Sequence, residues 1–183
     1  MTQEQEEGYT PGDLHVARYA AGLSLSDLAE LAGVQERAVR RWLSGAKPVP
    51  PDLMDALHLI LDDIGVIADR AVAAYEESGQ TDVVLVTYDR NQDIRRYGQP
   101  MPARGHADGP FAGAHTEAVA QAADAIREAG GSVHLVLFDE ESFTAWLLEN
   151  DRALDGSAVA EWGTGQLEEC PVTPWTNPPL DPG

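Results

Sequence analysis

GLSLSDLAELAGVQERAVRRWLSGAKPVP, residues 22–50, is the stretch on which the reading of this chain turns. Ser24 can cap a helix, its hydroxyl oxygen accepting one of the first free N–H groups, and Asp27 three residues later makes a near capping box. Leu25, Leu28, Ala29, Leu31 and Ala32 then recur at helical spacing. Gly33 breaks that helix and can take the positive φ of a tight turn. Gln35 begins another helix that runs to about Leu43, with Val34, Ala38, Val39 and Trp42 expected to face inward. Gln35, Glu36, Arg37, Arg40, Arg41 and Ser44 are left on or near its outer face. Gly45 stops it, and AKPVPP is a turn that sets proline at the start of the next helix.

The three arginines stand out against the rest of the chain, whose formal net charge is −19 over 183 residues. Residues 1–50 carry a net of −2 and residues 51–183 a net of −17. A chain this acidic repels nucleic acid as a whole, so any contact with it has to be local. With 43% apolar and 23% charged residues the composition is that of a soluble globular protein, long enough for one ordinary domain or two small ones. No apolar run approaches the ~18–20 residues that span a bilayer, and the acidic first residues are unlike a secretory signal. The one cysteine, Cys170, cannot form an intramolecular disulfide, which leads us to expect a reducing compartment, the cytoplasm.

Working outward, a polar tail over 1–11 precedes a helix expected from Asp13, with Leu14, Val16, Ala17, Tyr19 and Ala20 as its apolar contacts and Gly22 as its stop. After Pro50 a long helical pattern runs to Ser78, with Gly65 either splitting it or tolerated at ~1 kcal/mol relative to alanine. His58 lies among its apolar residues with no partner at ligand spacing, and reads as a packed or half-exposed histidine. Beyond Gly79 the character changes. DVVLVTYD (82–89) and SVHLVLFD (132–139) are continuous apolar runs expected as buried strands. NQDIRRY is a short helix or an edge, residues 98–110 a loop, and residues 114–131 and 140–151 two helices. From about Asp155 periodicity fades into a proline-rich tail expected to be disordered. The expected fold is therefore α+β: an N-terminal all-α bundle over 12–78 and a small β-α-β-α unit over 81–150, expected to serve dimerisation or to take a small ligand, with tails at 1–11 and 155–183. Two strands make a poor sheet alone, so more are expected, from a second subunit.

Two short helices joined by a glycine turn, with small Ala29 where they approach and a basic outer face on the second, form a helix-turn-helix pattern. With helices before and after it, Gly22–Pro50 resembles the Xre/Cro–cI type of helix-turn-helix regulator, over about a third of the chain. Many members of that type carry Gln at the second residue of the first of these helices; here Leu25 stands there, and Ser24 and Ser26 take over the expected backbone contact. The resemblance implies double-stranded DNA as partner, a homodimer on an inverted repeat, and base readers at Gln35, Glu36, Arg37 and Arg41. Arginine pairs with guanine, glutamine with adenine, and a carboxylate accepts from cytosine. Arg40 and Lys47 are expected on phosphates, which position a protein without reading sequence. The plainer alternative is a solvated face laced by pairs such as Glu36–Arg40. Excisionase and MerR-type winged proteins share parts of the RRWLSGAKPVP motif, but they open on it and follow it with a β-wing. More weakly, the order of elements is similar to the autorepressors associated with anti-CRISPR operons, whose C-terminal unit dimerises.

An enzyme reading rests on Asp89 and Asp139, each just after a strand, with His115 and His134 nearby. Asp at such a place commonly caps the next helix. No phosphate loop, HExxH, GxSxG or Cys/His cluster accompanies them, so no catalytic residue, cofactor, metal site or membrane contact is expected. The alternative function is an antitoxin-like module whose acidic C-terminal half binds a protein partner, such as a toxin.

Overall fold

The computed structural model describes residues 8–98, 110–155 and 157–169. Among them the order is α1 (Pro11–Ala20), α2 (Leu25–Leu31), α3 (Glu36–Leu43), α4 (Pro51–Ser78), β1 (Asp82–Thr87), α5 (Asn91–Tyr97), α6 (Ala112–Glu128), β2 (Ser132–Leu137), α7 (Glu140–Glu149) and α8 (Ala158–Glu169). The fold is α+β, mostly helical around a two-stranded parallel sheet, with the helical region first. No helix of the described residues is long and apolar enough to cross a membrane.

Helix α1 starts two residues earlier than expected, because Thr10 and Asp13 form a capping box and Pro11 occupies the first turn, where its missing N–H costs nothing. Its inward stripe is Leu14, Ala17 and Ala21. Val16 and Tyr19, expected inside, are 68% and 61% exposed, since at 100° per residue they fall on the far side of that stripe. Tyr19 instead packs edge-on against His15 and beneath the Arg18 guanidinium.

Helix α4 runs unbroken through Gly65, where an added Cβ would meet nothing within 4 Å, so the glycine is tolerated rather than a break. His58 is exposed and lies edge-on to Tyr9. The inner face of α4 supplies Leu53, Leu57, Ile60 and Ile64 to a core shared with Leu14, Leu28, Val39 and Trp42. That core crosses the division expected near residue 80, because Phe111, Ala114 and Ala118 belong to it as well. Ala114, Ala118 and Ala122 on α6 are all buried, and small side chains there let α6 lie close against α4. At its start α6 also meets the turn between α1 and α2: a Cβ on Gly22 would stand 2.6 Å from the Gly113 carbonyl oxygen, and one on Gly113 would fall on that of Gly22.

Strands β1 and β2 pair in parallel from Asp82↔Ser132 to Thr87↔Leu137. Side chains alternate between the two faces. Val86 and Val136 point toward the aromatic cluster of Tyr88, Tyr97, Phe138, Phe143 and Trp162. Thr87, on the other face, hydrogen-bonds Thr116 of α6 at 2.9 Å. The strands are half-covered rather than buried as expected, because α8 rests on β1 and α6 lies more over β1 than β2. Leu135 and Leu137 are left 52% and 56% exposed.

The expectation of a disordered tail from residue 155 is corrected over Ala158–Glu169, which form α8 and bury Ala158 and Trp162. Gly163 masks this helix in the sequence, yet the packing requires it: a Cβ there would lie 2.7 Å from Val86. The rest of that expected tail, residues 170–183, and residues 1–7 lie outside the described residues, as does most of the 98–110 loop.

Candidate nucleic-acid interface

Helices α2 and α3 meet as the sequence leads one to expect. Ser24 caps α2, its Oγ accepting the Asp27 N–H at 3.1 Å, while Asp27 Oδ2 accepts the Ser24 N–H at 2.8 Å. The turn is a Schellman motif: Gly33 stands at φ +64°, its N–H donates to Glu30 O and that of Val34 to Ala29 O. This explains why Val34, expected inside, is instead 37% exposed, since it sits just past the left-handed residue and not on α3.

Val39 and Trp42 anchor α3 in the core. The opposite side presents Arg37, Arg40 and Arg41, all exposed, with Gln35 at the N-cap and Lys47 in the following turn. Gln35 makes no capping hydrogen bond with its side chain, so its amide is free to meet a ligand. Arg37 and Arg41 lie one helical turn apart on the same side.

The three acidic residues of the motif are each paired. Glu36 holds Arg40 at 2.7 Å in an i,i+4 pair. Glu30 holds Arg95 of α5 at 2.6 Å. Asp27 accepts from Ser24 and, through its other oxygen, from Asn91 Nδ2 at 2.6 Å. Burial acts to raise the pKa of Asp27, but the Ser24 and Asn91 hydrogen bonds and the Arg95 charge outweigh it and hold the carboxylate below its usual range. Among the described residues the side chains of Arg37, Arg41 and Lys47 have no such partner.

The candidates thus separate. Arg37, Arg41, Gln35 and Lys47 are all exposed, Arg37 and Arg41 on α3, Gln35 at its N-cap and Lys47 in the turn after it. Glu36 and Arg40 are tied to each other, so a base contact by Glu36 or a phosphate contact by Arg40 has to compete with their pair. Ser24 spends its hydroxyl proton on Asp27, leaving exposed Ser26 the freer of the two serines.

Sequence reasoning passes over the brace behind this surface. Asn91 donates to Asp27 and accepts the Ala112 N–H at 2.8 Å, so one side chain joins the start of α2 to the start of α6. Nothing local in the sequence marks Asn91 for this, since its partners Asp27 and Ala112 lie 64 and 21 positions away.

Of the residues of the enzyme reading, Asp89 is exposed and lies 3.8 Å from Arg90. Asp139 caps α7 by accepting the Ser142 N–H at 2.7 Å. His115 is half-buried, edge-on to Tyr88, and the loss of solvent pushes its pKa down to about 4. Tyr88 is pushed up to about 12 by its own burial and the nearby Asp93 charge. His134 faces Asp82 at 3.8 Å. No protein-family model matches this sequence, and no curated protein matches it.

Proposed function

We propose that this protein is a sequence-specific DNA-binding transcriptional regulator, a homodimeric repressor that places α3 of each subunit in the major groove of an inverted repeat. One observation carries the reading: all three acids of the α2–α3 motif are engaged by other groups, while Arg37 and Arg41 project free from a core-anchored helix and Lys47 from the turn after it. A positive surface is thereby kept on a chain of net charge −19. Arg37 and Arg41 read guanines in bidentate fashion, Gln35 reads adenine, and Lys47 and Ser26 grip phosphates. Two recognition helices then lie one turn of duplex apart, ~34 Å. The acidic remainder suppresses binding to arbitrary sequence by repelling phosphate.

Selection of bound duplexes from a randomised pool tests this. The expected product is an inverted repeat with guanine at fixed positions in each half-site. Failure to enrich any sequence over successive rounds would defeat the proposal and turn attention to a protein partner of the acidic half.

A further inference from the structure

We propose that β2 is the seam between two copies of this chain, pairing antiparallel with β2 of a second copy about a two-fold axis midway between the two Leu135 residues to give one four-stranded sheet. The inference deepens the reading of a dimeric DNA-binding protein and rests on it for its purpose, but its evidence lies in the sheet alone.

The backbone sets the register. The N–H groups of Ser132 and Phe138 donate to Thr81 and Thr87, so the even-numbered residues of β2 direct their main-chain groups toward β1. By alternation, Val133, Leu135 and Leu137 direct theirs away from β1, and among the described residues no second strand receives them. Three donors and three acceptors in a row form a self-complementary edge. Antiparallel pairing centred on Leu135 sets Leu135 against Leu135 of the second copy and Leu137 against its Val133, so each pair can exchange both hydrogen bonds. The same three residues share the face on which Leu135 and Leu137 are more than half exposed, and pairing brings those leucines together.

The edge itself carries little that would keep a second copy away. Native edge strands are usually guarded by lysine, proline or a bulge, and residues 132–137 contain none of these. Two copies of a chain at −19 repel over most of their surface, yet residues 131–139 hold one acid, Asp139. In this register Asp139 stands opposite Gly131 of the second copy rather than another acid. The sheet, two strands wide and resting on α8 and α6, doubles in width.

Cysteine cross-linking tests the register in the full chain carrying Cys170→Ala, without DNA. Directly opposed residues of a hydrogen-bonded pair lie ~5.5 Å apart at Cα, within disulfide range. Leu135→Cys is expected to give mostly disulfide-linked dimer on mild oxidation. Leu137→Cys alone, offset by four residues from its own mate at ~3.4 Å each, is expected to stay monomeric on a denaturing gel. Mixing Val133→Cys with Leu137→Cys is expected to yield the mixed dimer. By sedimentation equilibrium Leu135→Lys should weaken dimerisation roughly tenfold or more, and salt should tighten the unmodified dimer by screening its repulsion. Equal cross-linking at 135 and 137, or an unmodified chain that sediments as a monomer at every salt concentration, would overturn the seam. Cross-linking at 135 in a protein that binds no duplex would uphold the seam while removing the DNA reading.

Discussion

The α2–α3 pair and the β1–β2 pair are both two-element units, and they leave opposite things exposed. Helices α2 and α3 close their inner faces completely, with Leu28 and Val39 at 0% exposure, and show cationic side chains outside. Strands β1 and β2 are covered unevenly and show leucines and an unpaired backbone edge. A surface of free arginines above a finished core suits a charged, hydrated ligand such as a phosphate backbone. An apolar edge with orphan N–H and C=O groups suits another peptide strand. One molecule thus exposes two surfaces of different chemistry, and α4 and α6 connect the regions that bear them by packing into a common core.

Breaking that common core should have the largest effect. Gly113→Val puts a branched side chain where the Gly22 carbonyl stands, and overpacking against backbone should cost about 3 kcal/mol or more in urea denaturation. Both surfaces should weaken together; a variant of unchanged stability would show that the helical and sheet regions are not docked through this contact. The surface arginines should separate the two regions instead. Arg37→Ala or Arg41→Ala should cost ~1–3 kcal/mol of DNA binding and relax preference at one base, with stability moved by less than ~0.5 kcal/mol. Arg40→Ala, which mainly releases Glu36, should weaken all sequences about equally.

Acid should act through the sheet region. The folded-state pKa of His115 is about 4 against an ordinary 6.5, so between those values the unfolded chain binds the additional proton. Stability is then full above pH 6.5 and falls as the pH drops toward 4, by at most ~1.4 kcal/mol per unit. His115→Gln should flatten thermal midpoints across that window. The contribution of Asp27, whose pKa is lowered, is lost only as the pH falls below the carboxylate range, so the two do not overlap. The smallest effect belongs to the shared helix: Gly65→Ala in α4 has room for its methyl and should stabilise by ~0.5–1 kcal/mol, leaving DNA affinity and dimerisation unchanged.

The helix-turn-helix was legible because its determinants are local. A capping pair three residues apart, an apolar stripe, a left-handed glycine and two anchors lie within twenty residues, and each has its expected place save Val34. Strand order was legible for the same reason. What escaped depends on distant partners. Helix α8 looks broken by Gly163, and only the Val86 side chain beneath it explains the missing Cβ. The joining of α6 to the helical core is carried by alanines and a glycine, which read as helix formers and not as contact residues. At the candidate site the arginines could be named from sequence, but their availability could not. That depends on Glu30 finding Arg95 and Asp27 finding Asn91, more than sixty positions away.

The central claim is that Arg37 and Arg41 form a DNA-reading surface. Fluorescence anisotropy of a labelled duplex from just upstream of the gene, with scrambled duplex as competitor, tests it directly when the wild type is compared with the Arg37→Ala/Arg41→Ala double variant. The account predicts saturable binding by the wild type that scrambled DNA competes for poorly, and loss of that binding in a double variant of unchanged stability. Equal binding by both proteins, or none by the wild type to any duplex, would contradict it.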